Sequence, residues 1–71
     1  MVNMQVLMQE GTRVQVKNII GFHRFPAGTV GVIEEVDYYP TIAPYKIRSD
    51  QELGIDPQWV PLEEVEEYGA N

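Results

Sequence analysis

The sequence predicts an all-β fold, a small five-stranded barrel with a single 3₁₀ turn before its last strand. Three observations carry that prediction. Short segments alternate apolar and polar residues or concentrate β-branched ones, as in Arg13-Val14-Gln15-Val16-Lys17 and Thr29-Val30-Gly31-Val32-Ile33. Turn residues punctuate them about every ten positions, a spacing that suits a small barrel better than a sheet with crossover helices. At 71 residues the chain has material for one core only, so residues 1–71 are expected to form one domain, with 1–10 as an edge strand or an arm laid over it.

Each element has its own local reason. Gly11 supplies a turn before the first strand, where Val14 and Val16 share one face. Upstream, Met4, Val6 and Met8 also alternate, and Gln5 to Met8 could pair as an edge strand, with this chain or with a second copy. Residues 18–27 form a loop by virtue of Gly21 and Pro26, yet Ile19, Ile20, Phe22 and Phe25 make it too apolar to stay wholly in water. Some of them should fold back. The segment Gly28 to Val36 is the strongest strand, its alternation slipping between Val32 and Ile33 as at a bulge, with Gly31 permitting close approach of a neighbouring backbone.

Pro40 and Pro44 cannot donate ladder hydrogen bonds, so the chain turns over 37–44 before Tyr45-Lys46-Ile47-Arg48 resumes a strand. A polar stretch from Ser49 to Pro57 follows, then a short strand Gln58-Trp59-Val60-Pro61. Leu62-Glu63-Glu64 reads as one 3₁₀ turn and Val65 to Tyr68 as the closing strand. Helix competes over 62–68, because Pro61, Leu62 and Val65 have helical spacing, but two turns alone are marginal in water. The expected interior is Val14, Val16, Val30, Ile33, Ile47 and Val60.

The order of these motifs resembles the SH3-like barrels, in particular those with a KOW-type opening. The likeness rests on Gly11-Thr12-Arg13-Val14-Gln15-Val16, Gly28-Thr29-Val30-Gly31-Val32-Ile33, Tyr45-Lys46-Ile47, and Trp59-Val60-Pro61-Leu62-Glu63-Glu64-Val65-Glu66, and spans Gly11 to Tyr68. It implies architecture rather than activity, since so widespread a fold hosts many functions. A basic loop of the nucleic-acid-binding KOW kind is reduced here to Lys17, His23 and Arg24, and the paired tyrosines of proline-peptide SH3 domains do not stand at 13–17. The miscellaneous small SH3-like proteins, accessory subunits and bacteriophage-encoded or bacterial domains among them, are the nearer likeness.

Composition narrows function. A hydrophobic share of 44% is that of a folding chain rather than a disordered one. The absence of cysteine removes disulfides and thiolate metal sites together and suits the cytoplasm. No apolar run is long enough for a membrane helix, and the start Met1-Val2-Asn3-Met4-Gln5 lacks signal-peptide character. The net charge of −6 is lopsided: residues 1–49 carry five Lys/Arg and four acids, residues 50–71 seven acids and no Lys or Arg. That balance disfavours a phosphate-backbone partner and accommodates a basic one.

Catalysis has little material. One serine, Ser49, one histidine, His23, and no cysteine cannot assemble a convincing triad, and His23 reads as a loop residue beside Arg24. Neither metal nor cofactor is expected. Glu63, Glu64, Glu66 and Glu67 read as an exposed acidic rim. The stronger lead is aromatic: Phe22, Phe25, Tyr38, Tyr39, Tyr45 and Trp59 fall mostly in loops or at strand ends, where they could anchor a protein partner. Tyr38 and Tyr39, adjacent in sequence, cannot both enter one core; Tyr45 and Trp59 could instead plug the ends of a barrel. A non-catalytic interaction module is thus the first expectation. A KOW-type nucleic-acid role through Arg13, Lys17, Arg24 and Lys46, and an acidic mimic of nucleic acid that inhibits a host protein, are the alternatives.

Overall fold

A computed structural model describes residues 7–21, 23–39 and 41–69. The fold is all-β: β1 (Arg13–Val16), β2 (Val30–Val36), β3 (Tyr45–Ser49), β4 (Gln58–Val60) and β5 (Val65–Glu67), with a 3₁₀ turn at Leu62–Glu64 between the last two. All pairings are antiparallel and the strands lie in the order β4-β3-β2-β1-β5. The 3₁₀ turn, not a helix, occupies the start of 62–68, because Val65 is extended (φ −132°, ψ 146°) and enters the ladder opposite Val16.

The connection between the edge strands bends the sheet. In a flat sheet Val60 and Val65 would stand roughly 30 Å apart, being separated by four inter-strand gaps and by the length of β2. The four residues between them, three in a 3₁₀ turn, span only about 14 Å. The sheet is therefore curled, with the Val60 to Glu64 corner linking its two edge strands, but it is not closed into the barrel that the sequence predicts. Among the described residues no hydrogen-bonded pairing joins β4 to β5.

Curling encloses one apolar cluster: Val14, Val16, Phe25, Ile33, Val36, Tyr45, Ile47, Val60 and Val65, with Leu7, Met8, Leu53, Ile55 and Leu62 packed at its margins. Five of the six expected core residues are in it. Val30 is not, because the slip in β2 falls two residues later than the sequence suggests. The register shifts between Ile33 and Glu35, so Gly31 and Ile33 point inward, Val30 and Val32 point outward, and Glu34 and Glu35 are both exposed. Gly31 behaves as expected: a Cβ there would collide with the carbonyl oxygen of Arg48 and lie 2.9 Å from the Cα of Ser49.

The expected edge strand at Gln5 to Met8 falls largely outside the described residues. Its last two positions, Leu7 and Met8, pack against the core without strand pairing. The Met8 N–H donates to the hydroxyl of the buried Tyr45 at 3.0 Å. Tyr45→Phe removes that acceptor, and a loss of about 1 kcal/mol in urea unfolding is expected; an unchanged midpoint would mean that water satisfies the Met8 amide equally well.

Candidate functional site

The curled sheet leaves a seam between β4 and β5, and the described parts of the 17–29 loop, residues 17–21 and 23–29, lie along it. Phe25, fully buried, inserts into the core, and the Arg24 N–H donates to Oε1 of Gln58 on β4 at 2.8 Å. At the other end of the seam the loop is held by Glu64. This carboxylate is wholly buried and accepts three consecutive backbone N–H groups: Ile19 on Oε2 at 2.7 Å, and Ile20 and Gly21 on Oε1 at 3.1 and 3.0 Å. His23 completes the anchor. Its Nδ1 accepts the Phe25 N–H at 3.1 Å, so the ring hydrogen sits on Nε2, which donates to the Lys17 carbonyl at 2.9 Å and stands 3.3 Å from Oε1 of Glu64.

Burial pushes the Glu64 carboxyl up, but the N–H groups of Gly21, Ile19 and Ile20, aided by the nearby His23, outweigh burial and hold it below its ordinary 4.5. A carboxyl depressed in the folded state stabilises the fold fully above its unfolded value and loses that contribution as pH falls through the folded one. The domain is therefore expected to lose stability below about pH 4.5. Glu64→Gln should flatten that part of the profile while lowering Tm at neutral pH by roughly 10 °C or more, since its amide N–H₂ faces donors. Thermal melts at a series of pH values check both effects.

These placements revise three expectations. Glu64 does not belong to an acidic rim; only Glu63, Glu66 and Glu67 of that run are exposed. Phe25 and Tyr45 are core residues and offer no contact surface, because the curled sheet needs large side chains to fill its interior. His23, expected as an ordinary loop residue, is buried at the seam. Phe22 lies outside the described residues.

The exposed large apolar residues are others. Tyr38 (71% exposed), Tyr39 (82%) and Ile42 (68%) crowd the 37–44 loop, Trp59 (40%) stands on edge strand β4, and Ile19 (69%) and Ile20 (47%) project from the segment held by Glu64. Tyr68, 45% exposed just past β5, lies under the Arg13 guanidinium; topology groups the other six. The 37–44 loop springs from the row in which Val36 pairs with Tyr45 and Tyr45 with Val60, closed by the Asp37 N–H on the Pro44 carbonyl at 2.8 Å. Trp59 precedes Val60, and Ile19 and Ile20 hang on Glu64, so all three segments leave from the Val60 to Glu64 corner. Of the loop residues expected to fold back in part, Phe25 does so while Ile19 and Ile20 stay exposed; Ile42 carries no signal in the sequence beyond its place in a turn-rich loop.

The cationic side chains are largely taken. On the outer face of the sheet Arg48 bonds Glu34 at 2.5 Å and Lys46 lies between Glu34 and Glu35 at 3.8 and 3.6 Å. The Arg48 guanidinium holds the Glu34 carboxyl below its ordinary value against the upward push of burial. Arg13 pairs with Asp50 at 2.6 Å and lies over the Tyr68 ring. A cleft of about 350 Å³ between segments 26–30 and 50–53 brings a single ionisable side chain, that same Asp50. Among the described residues no cluster of three metal-ligating side chains occurs, and no helix is long and apolar enough to cross a membrane.

No family model, curated protein or solved structure matches the chain. What the site does is read from its geometry.

Proposed function

We propose that the chain is a non-catalytic protein-interaction module of the SH3-like barrel kind, which holds a protein partner on the apolar surface around the Val60 to Glu64 corner. The observation that carries this reading is the exposure of Tyr38, Tyr39, Ile42, Trp59, Ile19 and Ile20 on three segments that share one corner. A small domain rarely leaves so much large apolar surface in water without a use for it. Support for the barrel kind comes from the strand order, with β5 beside β1 and a 3₁₀ turn between β4 and β5.

Charge indicates the sort of partner. Asp37 and Glu63 flank the surface, and the exposed Glu66 and Glu67 on β5 enter no ion pair among the described residues, which favours a segment carrying Lys or Arg beside its apolar anchors. Arg13, Lys46 and Arg48 already spend their charge on acids of the domain, which weakens the nucleic-acid reading. Titration with duplex DNA and with RNA at low salt is expected to give no binding.

Capture of partners from the native host by the immobilised domain tests the proposal, with the double variant Tyr39→Ser, Ile42→Ser as control. The variant should melt within a few degrees of the parent and bind the captured partner at least about tenfold more weakly. Equal capture by both proteins would remove the corner from the contact surface.

A further inference from the structure

We propose that Glu64 and the amides of Ile19, Ile20 and Gly21 form an acid-released latch, which pins these three residues to the 3₁₀ turn when the carboxyl is ionised and frees them, with the sheet still folded, when the carboxyl is protonated. Three donors from consecutive residues converge on two oxygens that solvent does not reach. Successive amides arranged in this way make a concavity suited to an anion. Protonation turns one acceptor oxygen into a donor facing N–H groups, so the three bonds cannot survive it intact.

The latch is separable from the sheet. The bonds it makes are side chain to backbone across more than forty residues of sequence, and none belongs to the β ladder. Between the latch and β2, Phe25 is buried in the core and Gly28 donates to the Val16 carbonyl at 2.7 Å, so the far arm of the loop stays fixed when the near arm opens. Around the carboxylate, the 17–29 loop contributes His23, whose Nε2 is 3.3 Å away, and Lys17, whose backbone N–H donates to the Glu64 carbonyl at 2.6 Å but whose side chain forms no ion pair with it. The neighbouring Glu63 is exposed, and the strands on either side present Val16, Val60 and Val65, which carry no charge.

Release would withdraw Ile19 and Ile20 from their fixed position and so weaken one arm of the contact surface; this consequence rests on the proposed function, whereas the latch does not. The test is an NMR titration of the intact domain from about pH 7 to about pH 3, following the amides of Ile19, Ile20 and Gly21 together with the Glu64 carboxyl carbon. The three amides are expected to move as one with the carboxyl carbon, at a midpoint below 4.5, while the amides of Val14, Ile33 and Ile47 keep their positions. In Glu64→Gln the joint titration should vanish. Amides that follow the His23 ring carbons, that titrate at separate midpoints, or that change only when the whole sheet unfolds would overturn the latch, and so would persistence of the joint titration in Glu64→Gln. Should the variant not fold, the carboxyl carbon of the parent still decides. A partner that binds equally well to the open and closed states would strike the surface assignment and leave the latch standing.

Discussion

Phe25→Ala is expected to leave the domain largely unfolded at 25 °C, although the residue sits in a loop with glycine and proline on either side. Its side chain is fully buried among Val14, Val16, Ile33 and Val60. Truncating a buried phenylalanine costs about 3–5 kcal/mol. A domain of this size has only about 3–5 kcal/mol to lose. The comparison that isolates the cause is Tyr39→Ala, which removes a comparable ring from an 82% exposed position and should shift stability by less than about 0.5 kcal/mol. Urea titrations followed by circular dichroism separate the two. A cooperative transition for Phe25→Ala near that of the parent would mean that the loop does not plug the seam.

Gly31→Ala is expected to cost at least about 2 kcal/mol, for a reason unrelated to backbone conformation. Gly31 does not occupy the left-handed region; the new methyl group would run into the backbone of β3 at Arg48 and Ser49, and a backbone inside a ladder cannot swing aside as a side chain can. Gly54→Ala provides the contrast. There φ is +76° and nothing lies within 4 Å of the added carbon, so the penalty is that of the left-handed region alone, about 1 kcal/mol. That order of effects is expected in guanidinium or urea unfolding, and a Gly54 variant less stable than the Gly31 variant would overturn the backbone collision.

The strands were legible because each is announced by its own residues. Val14 and Val16 alternate, Tyr45 and Ile47 alternate, prolines bracket the turns, and the glycine in β2 marks a close approach that the ladder uses. The bulge was displaced because Val32 and Ile33 are equally apolar. With Val32 facing outward, only the pairing of Ile33 with Ile47 and of Glu35 with Lys46 shows that Glu34 is the extra residue. Hydrophobicity alone does not contain that information.

Less of the site could be read. Alternation excludes only the burial of both Tyr38 and Tyr39, and both are exposed because they stand in a loop; Phe25 and Tyr45 go inward, since a loop aromatic can as well fill an interior as face a partner. Glu64 was hardest. In a run of four glutamates nothing local distinguishes the one that turns inward; its role depends on amides more than forty positions away and on the curl that brings them to the corner. His23 is similar, its place set by the Lys17 carbonyl and the Phe25 amide rather than by Arg24 beside it.

The proposed function assigns a protein partner to one corner of the curled sheet. Amide hydrogen exchange across the whole chain, measured with and without the captured partner, tests this most directly. Protection gathered at residues 19–21, 38–43 and 58–63 is the predicted outcome. Protection confined to the outer face around Arg13, Val32 and Arg48, or to the cleft at 26–30 and 50–53, would contradict it.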